Sequence, residues 1–470
     1  MMADAYDLVV IGAGPAGMAA AATACTAGAR VLVLDDQSTP GGQIYRAVEN
    51  AGNWESNVLG PDYIAGKANV RTFRDSRVEY RAGAVVWQVT GSREIGYSYQ
   101  GQAQIIRPRS LILATGAMER PMPIPGWTLP GVMTAGAAQT LLKSSALAAE
   151  GALFAGSGPL LYLIAYQYLK AGLHVEAIVD TTPRHNRWRA LPHLPGALLN
   201  WQMLNKGRKW ISEIRALGTP ILKGAGELRV LGDEVAEGLA WRRHSGAWQE
   251  VSSSHVFLHQ GVVPNINLSM AAGLQHDWDA IQICWRPRCD DWGRGSCDKI
   301  FIAGDGAGVG GAAAAHAAGR IAAIGALSDL GLISQGDRDR EARGWRAVMR
   351  REMSFRPFLD AWFRPPDQLR VPDDENTTVC RCEELTLKDI RDAIAIGLNN
   401  PNSVKSFCRS GMGPCQGRFC GLTLQEIIAR DTGRAPGEVG YYRLRPPIKP
   451  VPLNELANIE FDPVQQNDRI

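Results

Sequence analysis

The chain has 470 residues, 45% of them hydrophobic, and a formal net charge of +3. That length allows two to four domains at roughly 100–200 residues each, and the near balance of charge excludes a dedicated nucleic-acid binder or a chain built for strongly acidic partners. Of nine cysteines, five (Cys380, Cys382, Cys408, Cys415, Cys420) fall in one C-terminal stretch, which excludes a small secreted disulfide scaffold.

The start, MMADAYDLVVIGAGPAGM, has no basic leader region and runs straight into a strand pattern. No run of about 18 or more unbroken apolar residues follows. The expectation is a cytoplasmic protein without a membrane span, in a reducing compartment that leaves the thiols available to a metal. Residues 7–11 (DLVVI) predict a buried parallel strand. Gly12-Ala13-Gly14-Pro15-Ala16-Gly17 opens a small-residue helix. Residues 30–34 (RVLVL) predict the next strand, ending at Asp35-Asp36. This is a βαβ unit with GxGxxG. Gly12 permits the tight turn, Gly14 lets the backbone approach a pyrophosphate, and Gly17 lets the helix pack on the strand. The helix N-terminus stabilises phosphate charge. Asp35 lies near the offset of ~20 residues at which a carboxylate binds a ribose hydroxyl. A bound dinucleotide is the expectation; a ligand-free glycine turn is the alternative.

Three later segments bear on which dinucleotide. Pro40-Gly41-Gly42-Gln43 follows the second strand. Ala114-Thr115-Gly116-Ala117 ends the strand SLILATGA. Ala303-Gly304-Asp305-Gly306 ends KIFIAGDG and precedes the helix start GVGGAAAAHAAGR. These resemble the recurring segments of two-dinucleotide-binding-domain flavoproteins, the group of glutathione and thioredoxin reductases. The resemblance implies an α/β fold, a Rossmann-like FAD domain with an inserted NAD-like domain. It implies FAD contacts from Gly12, Gly14, Pro15, Ala16, Gly17, Asp35, Asp36, Gly42, Gln43, Val86, Thr115, Gly116, Gly304, Asp305, Gly311 and Ala312. It puts Asp305 at the ribityl and pyrophosphate region and the Gly310-Gly311-Ala312 helix start under the flavin ring. Residues 260–265 (QGVVPN) resemble the second crossover into the FAD domain.

Between the crossovers lies another βαβ pattern: residues 151–155, then Gly156-Ser157-Gly158-Pro159-Leu160-Leu161, then residues 175–179 and Asp180. In the resembled group this domain binds NAD(P)H. Leu161 stands where Gly17 stands in the first unit, which pushes helix from strand and alters the phosphate approach. NAD(P) is therefore not expected; a structural βαβ domain, empty or holding another adenine nucleotide, is. Arg184 is only a weak sign of NADP preference. No CxxC pair occurs anywhere, which argues against a disulfide reductase. Cys284, Cys289 and Cys297 read as ordinary thiols rather than a metal cluster. His316, on the helix after the GD segment, reads as a packed residue rather than a flavin neighbour.

Cys380-Arg381-Cys382 opens the last domain, a helix pattern (LTLKDIRDAIAIG) follows, and Cys415 and Cys420 give CxC … CxxxxC. Four thiolates suit zinc or an iron–sulfur cluster. CxC brings two sulfurs close, and the glycines around Cys415 leave N–H groups for cluster sulfides. The pattern resembles the bacterioferritin-associated-ferredoxin (BFD-like) [2Fe–2S] domain, a small helical unit. That implies Cys380, Cys382, Cys415 and Cys420 as ligands and Cys408 as a packed neighbour; zinc and bare thiols are the alternatives.

The domain reading is a discontinuous FAD-binding domain at 1–130 and 256–340 and an inserted nucleotide-like domain at 131–255. A basic connector at 341–375 follows, then the [2Fe–2S] domain at 376–435. The tail, 436–470, is extended and Pro-rich (YYRLRPPIKPVP) and is expected to wrap back over the body. The connector arginines read as a solvated helix face or as a docking surface for a partner. This motif order resembles the A subunits of heteromeric bacterial dehydrogenases that oxidise secondary amines and amino acids. That group holds D-opine (octopine/nopaline) oxidases, hydroxyproline and proline dehydrogenase α subunits and a hydrogen cyanide synthase subunit. The resemblance implies a division of labour. A second flavoprotein subunit takes the hydride from an amine or amino acid: a D-opine, proline or hydroxyproline. This chain relays electrons through FAD and [2Fe–2S], with an FMN between subunits and room for a small third subunit. No catalytic residue is assigned. The alternatives are a self-sufficient NAD(P)H:acceptor reductase, a glycine-oxidising hydrogen cyanide synthase subunit, and a non-catalytic scaffold with a structural metal.

Overall fold

The computed structural model describes residues 6–243 and 246–459; the last part of the predicted tail lies outside them. The principal elements open with β1 (Leu8–Ile11), α1 (Pro15–Thr26), β2 (Val31–Asp35), β3 (Glu79–Ala82) and β4 (Ser110–Leu113). A second group follows: β5 (Val132–Thr134), α2 (Ala135–Ser145), β6 (Ala152–Ser157), α3 (Pro159–Lys170), β7 (Val175–Asp180), α4 (Asn186–Ala190), α5 (Leu194–Leu198), α6 (Trp201–Ala216), β8 (Ile221–Lys223) and β9 (Val256–Gln260). Then come β10 (Ile300–Ile302), α7 (Ala312–Asp329), α8 (Gln335–Trp362), α9 (Leu387–Ala395), α10 (Pro401–Cys408) and α11 (Gly421–Thr432).

The first group forms a parallel sheet in the order β10-β4-β1-β2-β3. The second forms a parallel sheet in the order β8-β7-β6-β9-β5. Both are covered on two faces, which is why β1, β2 and β6 begin as unbroken apolar runs. β9, which starts at Val256, belongs to the inserted sheet. The chain crosses between the two bodies on Ala117–Glu119 and returns on Val262–Pro264, and these two strands pair antiparallel.

The small residues of α1 and α7 have a packing reason. A Cβ on Gly319 would lie 2.0 Å from the Ala16 carbonyl oxygen, and one on Gly304 would lie 2.7 Å from the Ala16 methyl. The two helices therefore meet backbone to backbone. The segment read as a connector is largely one 28-residue helix, α8. Two of its arginines are not free: Arg338 and Arg346 stack over Trp292, at 4.5 and 4.1 Å from the ring centroid.

Residues after 376 form a helical domain around Leu387, Ile390, Val404, Leu424, Ile427 and Ile428, with Cys380 and Cys420 inside the same core. Thr386 and Asp389 form a capping box at the start of α9. The following chain does wrap back. Ile448 is buried and its N–H donates to the Trp87 carbonyl (2.9 Å), while Lys449 reaches Asp36 at 2.7 Å. No helix among the described residues is long and apolar enough to cross a membrane.

Candidate functional site

At the first glycine turn the sequence dictates the backbone. Gly12 has φ +103°, and a Cβ there would meet the Ala114 carbonyl oxygen at 2.4 Å. A Cβ on Gly17 would lie 1.8 Å from the Gly12 oxygen, so only glycine lets α1 start so close to β1. The Gly41 N–H donates to the Ala13 carbonyl (2.8 Å), and a Cβ on Gly42 (φ +60°) would lie 2.8 Å from the Gly14 Cα. Two bare backbone loops thus face each other beneath the N-terminus of α1, leaving N–H groups for a diphosphate.

The side chains around this cradle first hold the loops. Asp35 is buried and accepts from the Ala13 N–H on one oxygen and from the Gln37 N–H on the other (2.7 Å). Burial pushes its carboxyl above the usual range. Burial raises Asp36, but Lys449, Gln37 and Arg46 together outweigh it and the net direction is down. Thr115 donates to the Asn265 carbonyl (2.9 Å), and the Asn265 N–H returns a bond to Gly116. Asp305 accepts from the N–H groups of Gly310 and Gly311 (2.9 and 3.0 Å) and so shapes the entry to α7. Gly311 (φ +91°) precedes Ala312 at the α7 N-terminus. Val86 is buried in the core beside Leu34 and Ile448. Val86 apart, these groups follow the carboxyl ends of β1, β2, β4 and β10, where open α/β sheets take their ligands. The donor set and the bare cradle fit FAD.

One residue here left no sequence signal. Lys143 on α2 is buried, and its ammonium donates to the carbonyls of Gln43 (3.1 Å) and Ile44 (3.0 Å) and to Gln139 (3.0 Å). Burial, then the nearby Arg46, pushes its pKa down to about 7. It clamps the PGGQ loop from the side of the second domain.

The second glycine turn keeps the geometry but not the opening. Gly156 and Gly158 have φ +138° and +127°, and Leu161 is fully buried. Asp180, the counterpart of Asp35, accepts from the Tyr162 hydroxyl (2.7 Å) and the Thr182 N–H (2.8 Å). Over the turn lie the end of α8 and the chain after it. Ser157, Gly158 and Pro159 share a cavity of only about 70 Å³ with Leu359, Asp360, Phe363, Arg364 and Pro365. Ligand pockets run to roughly 300–1,000 Å³, so this turn is covered by the protein's own chain. A larger cleft of about 570 Å³ lies beyond Thr181, lined by Arg184, Arg189, Arg243 and Arg364. Beneath the turn a buried imidazole and carboxylate meet: His259 Nδ1 lies 2.6 Å from Glu119, which also accepts from the Gly136 N–H (2.8 Å). Neither was marked by sequence, because Glu119 comes from the first crossover strand and His259 from β9 of the inserted sheet, 140 residues apart.

The four C-terminal cysteines converge from two segments, the turn at Cys380–Cys382 and the loop between α10 and α11. Cys420 donates to Cys380, which also faces the N–H groups of Gly411, Glu383 and Cys382; together they push the Cys380 thiol down to about 6. Cys420 itself is pushed well up, first by that hydrogen bond and then by burial. Cys382 pairs with Cys415, and a Cβ on Gly413 would lie 2.3 Å from the Cys382 Cβ. Among the described residues no three metal-ligating side chains form a ready cage for a single ion; the thiols meet as two pairs. None of the nine cysteines is in a disulfide. Cys408 is turned back onto its own helix, donating to the Val404 carbonyl (3.2 Å).

The remaining candidates are packed into the fold. Cys284 is buried, and burial raises it to about 12; Cys289 rises to about 11 for the same reason. With Cys297 they pack at two different core edges. His316 accepts from Arg320 (3.0 Å) and packs on Trp345, and burial pushes its pKa down to about 4.

Residues 6–322 match the pyridine nucleotide-disulphide oxidoreductase family, and residues 374–459 match the sarcosine oxidase A3 domain. One of the opine oxidase A subunits of Rhizobium meliloti is 43% identical over 97% of this chain and 88% of that protein. Hydrogen cyanide synthase subunit HcnB of Pseudomonas aeruginosa is 31% identical over 96% of this chain and 98% of that protein. Among solved structures, L-proline dehydrogenase from P. horikoshii superposes with a TM-score of 0.69 at 18% identity, covering 97% of this chain and 80% of that one.

Proposed function

The chain belongs to the pyridine nucleotide-disulphide oxidoreductase family and, within it, to the group of opine oxidase A subunits; from that premise we propose that it is the electron-relay subunit of a heteromeric dehydrogenase. It is an FAD-dependent oxidoreductase of an amine-oxidising group. In this reading a second flavoprotein subunit oxidises a secondary amine or amino acid: a D-opine such as octopine or nopaline, or proline or hydroxyproline. FAD sits on the first glycine turn, and Cys380, Cys382, Cys415 and Cys420 hold a [2Fe–2S] cluster. An FMN lies between the subunits.

The carrying observation is the contrast between the two turns. The first has glycine at all three positions and presents bare backbone; the second has the buried Leu161 at the third position and shares only about 70 Å³ of space with Phe363, Arg364 and Pro365. Electrons then enter from a partner and not from a nicotinamide on this chain. Bound flavin accepts an electron pair, and a two-iron cluster passes electrons singly. The chain's own groups supply the setting. The N-termini of α1 and α7 stabilise negative charge, Asp305 holds the loop at the second of them, and Lys143 anchors the PGGQ loop. The meeting of the thiols as two pairs suits two iron atoms with two thiolates each better than one tetrahedral zinc. The N–H groups aimed at Cys380 favour the deprotonated sulfur that a metal requires.

The test compares the purified chain with the chain co-expressed with its partner flavoprotein. The expected outcome is flavin and iron absorption in the chain alone, no amine oxidation by it alone, and no flavin bleaching by NADH. Amine oxidation appears only with the partner. Rapid bleaching by NADH would establish a self-sufficient reductase instead, and turnover of glycine alone would point to a cyanide-forming subunit.

A further inference from the structure

The cleft of about 570 Å³ beyond the carboxyl end of β7 gathers Arg184, Arg189, Arg243 and Arg364. Open α/β sheets take their ligands at strand carboxyl ends, and small-molecule pockets run to roughly 300–1,000 Å³. The four guanidinium groups come from three separate stretches: the chain after β7, the chain after the strand Gly238–Arg242, and the chain after α8. Among the described residues none of the four forms an ion pair with a carboxylate. The lining carboxylate, Asp367, is held by Arg370 at 2.8 Å. Burial, then the charge of Arg370, pushes the Arg364 guanidinium down; Asp367 pulls it up and Arg189 adds to the downward push. Arg189 and Arg364 therefore repel each other within one cleft, a cost that a bound anion offsets.

Two buried polar atoms lie on the same lining. Thr181 and Asn186 are 2% and 1% exposed, and Thr181 Oγ1 and Asn186 Oδ1 have no hydrogen-bond partner. The Asn186 amide is fixed in orientation. Its nitrogen donates to the carbonyls of Trp362 (3.1 Å) and Arg364 (2.9 Å), so its oxygen is the end left over. Buried polar atoms are rarely left unpaired, and two of them beside four unpaired cations call for one explanation. An anion satisfies the guanidinium groups and the Thr181 hydroxyl, which can donate. Asn186 Oδ1 can only accept, so the occupant must bring a donor of its own. The arginines repel an ammonium, which leaves a hydroxyl. Guanidinium forks match phosphoryl oxygens, and four cations exceed what one carboxylate neutralises. A dinucleotide does not fit, because the turn for its diphosphate, at Gly158, shares only about 70 Å³.

We propose that this cleft binds a small phosphomonoester with free hydroxyl groups, a sugar phosphate. The arginines and the Thr181 hydroxyl take the phosphoryl group, and Asn186 Oδ1 accepts from a sugar hydroxyl. The proposal does not depend on the electron-relay reading.

Isothermal titration of the full-length holoprotein, with flavin absorption recorded on the same sample, tests it. The probes are ribose 5-phosphate, ribose, inorganic phosphate and NADPH. Ribose 5-phosphate is expected to bind about tenfold more tightly than inorganic phosphate, and ribose not at all. Arg189→Gln with Arg243→Gln should weaken ribose 5-phosphate by about tenfold or more. Thr181→Val should weaken it severalfold, with flavin absorption and the melting curve unchanged in both variants. Absence of wild-type binding, or equal binding by the double arginine variant, overturns the proposal. Equal affinity for inorganic phosphate marks an adventitious ion only, and tighter binding of NADPH marks a dinucleotide site; each of these also overturns it.

Discussion

Replacing Glu426 by alanine removes the buried carboxylate that ties the cysteine domain to the body. Glu426 lies on α11, and its oxygens reach Arg370 at 2.7 Å (Nη2) and 2.9 Å (Nε), with Arg120 at 3.9 Å. All three side chains are 7% exposed or less. Burial pushes Arg120 down, whereas for Arg370 burial is outweighed by Glu426 and then Asp367. Breaking a buried pair while leaving its partner charged costs about 3–5 kcal/mol. The lower end applies, because Arg370 keeps Asp367 (2.8 Å) and Arg120 keeps the carbonyls of Gln282 and Ile283. A loss of about 3 kcal/mol is roughly a hundredfold in an opening equilibrium. The readout is amide hydrogen exchange along α11 and over residues 371–380, since one global unfolding value is ill-defined for a chain of several domains. Glu426→Gln should lose less, because an amide oxygen still accepts. Glu426→Leu combined with Arg370→Met should exchange more slowly than Glu426→Ala. If Glu426→Ala leaves α11 exchange within about twofold of wild type, the buried pair does not hold the domain in place.

Gly17→Ala places a methyl 1.8 Å from the Gly12 oxygen, so the variant should purify without flavin, checked by its visible spectrum. Cys415→Ser should lower iron and acid-labile sulfide with FAD retained; unchanged iron would remove Cys415 from the ligand set. Lys143→Met should flatten a pH dependence. With a folded pKa of about 7 against an ordinary 10.5, the unfolded chain binds the extra proton between those values. Wild-type stability therefore rises with pH across that window. The urea midpoint of flavin release, which reports on this region, should rise between pH 7 and 9.5 in the wild type and less so in the variant.

The local chemistry of this protein is legible in its short motifs. GxGxxG, PGGQ, ATG and GD each lie within a few residues, as do CxC and CxxxxC taken singly, and strand, turn and helix start follow from steric limits that neighbours impose on one another. The apolar runs marked the buried parallel strands for the same reason. What closes on those motifs depends on long-range packing. Leu161 hinted that the second turn had changed, but its cover comes from Phe363, whose carbonyl faces Ser157 across 206 residues. Asp35, expected at a ribose, also ties Ala13 to Gln37. Lys143, the His259–Glu119 pair and the Arg120–Arg370–Glu426 cluster carry no local pattern, because their partners come from distant strands and helices. Burial then makes those charges costly unless they meet, and only the folded arrangement brings them together.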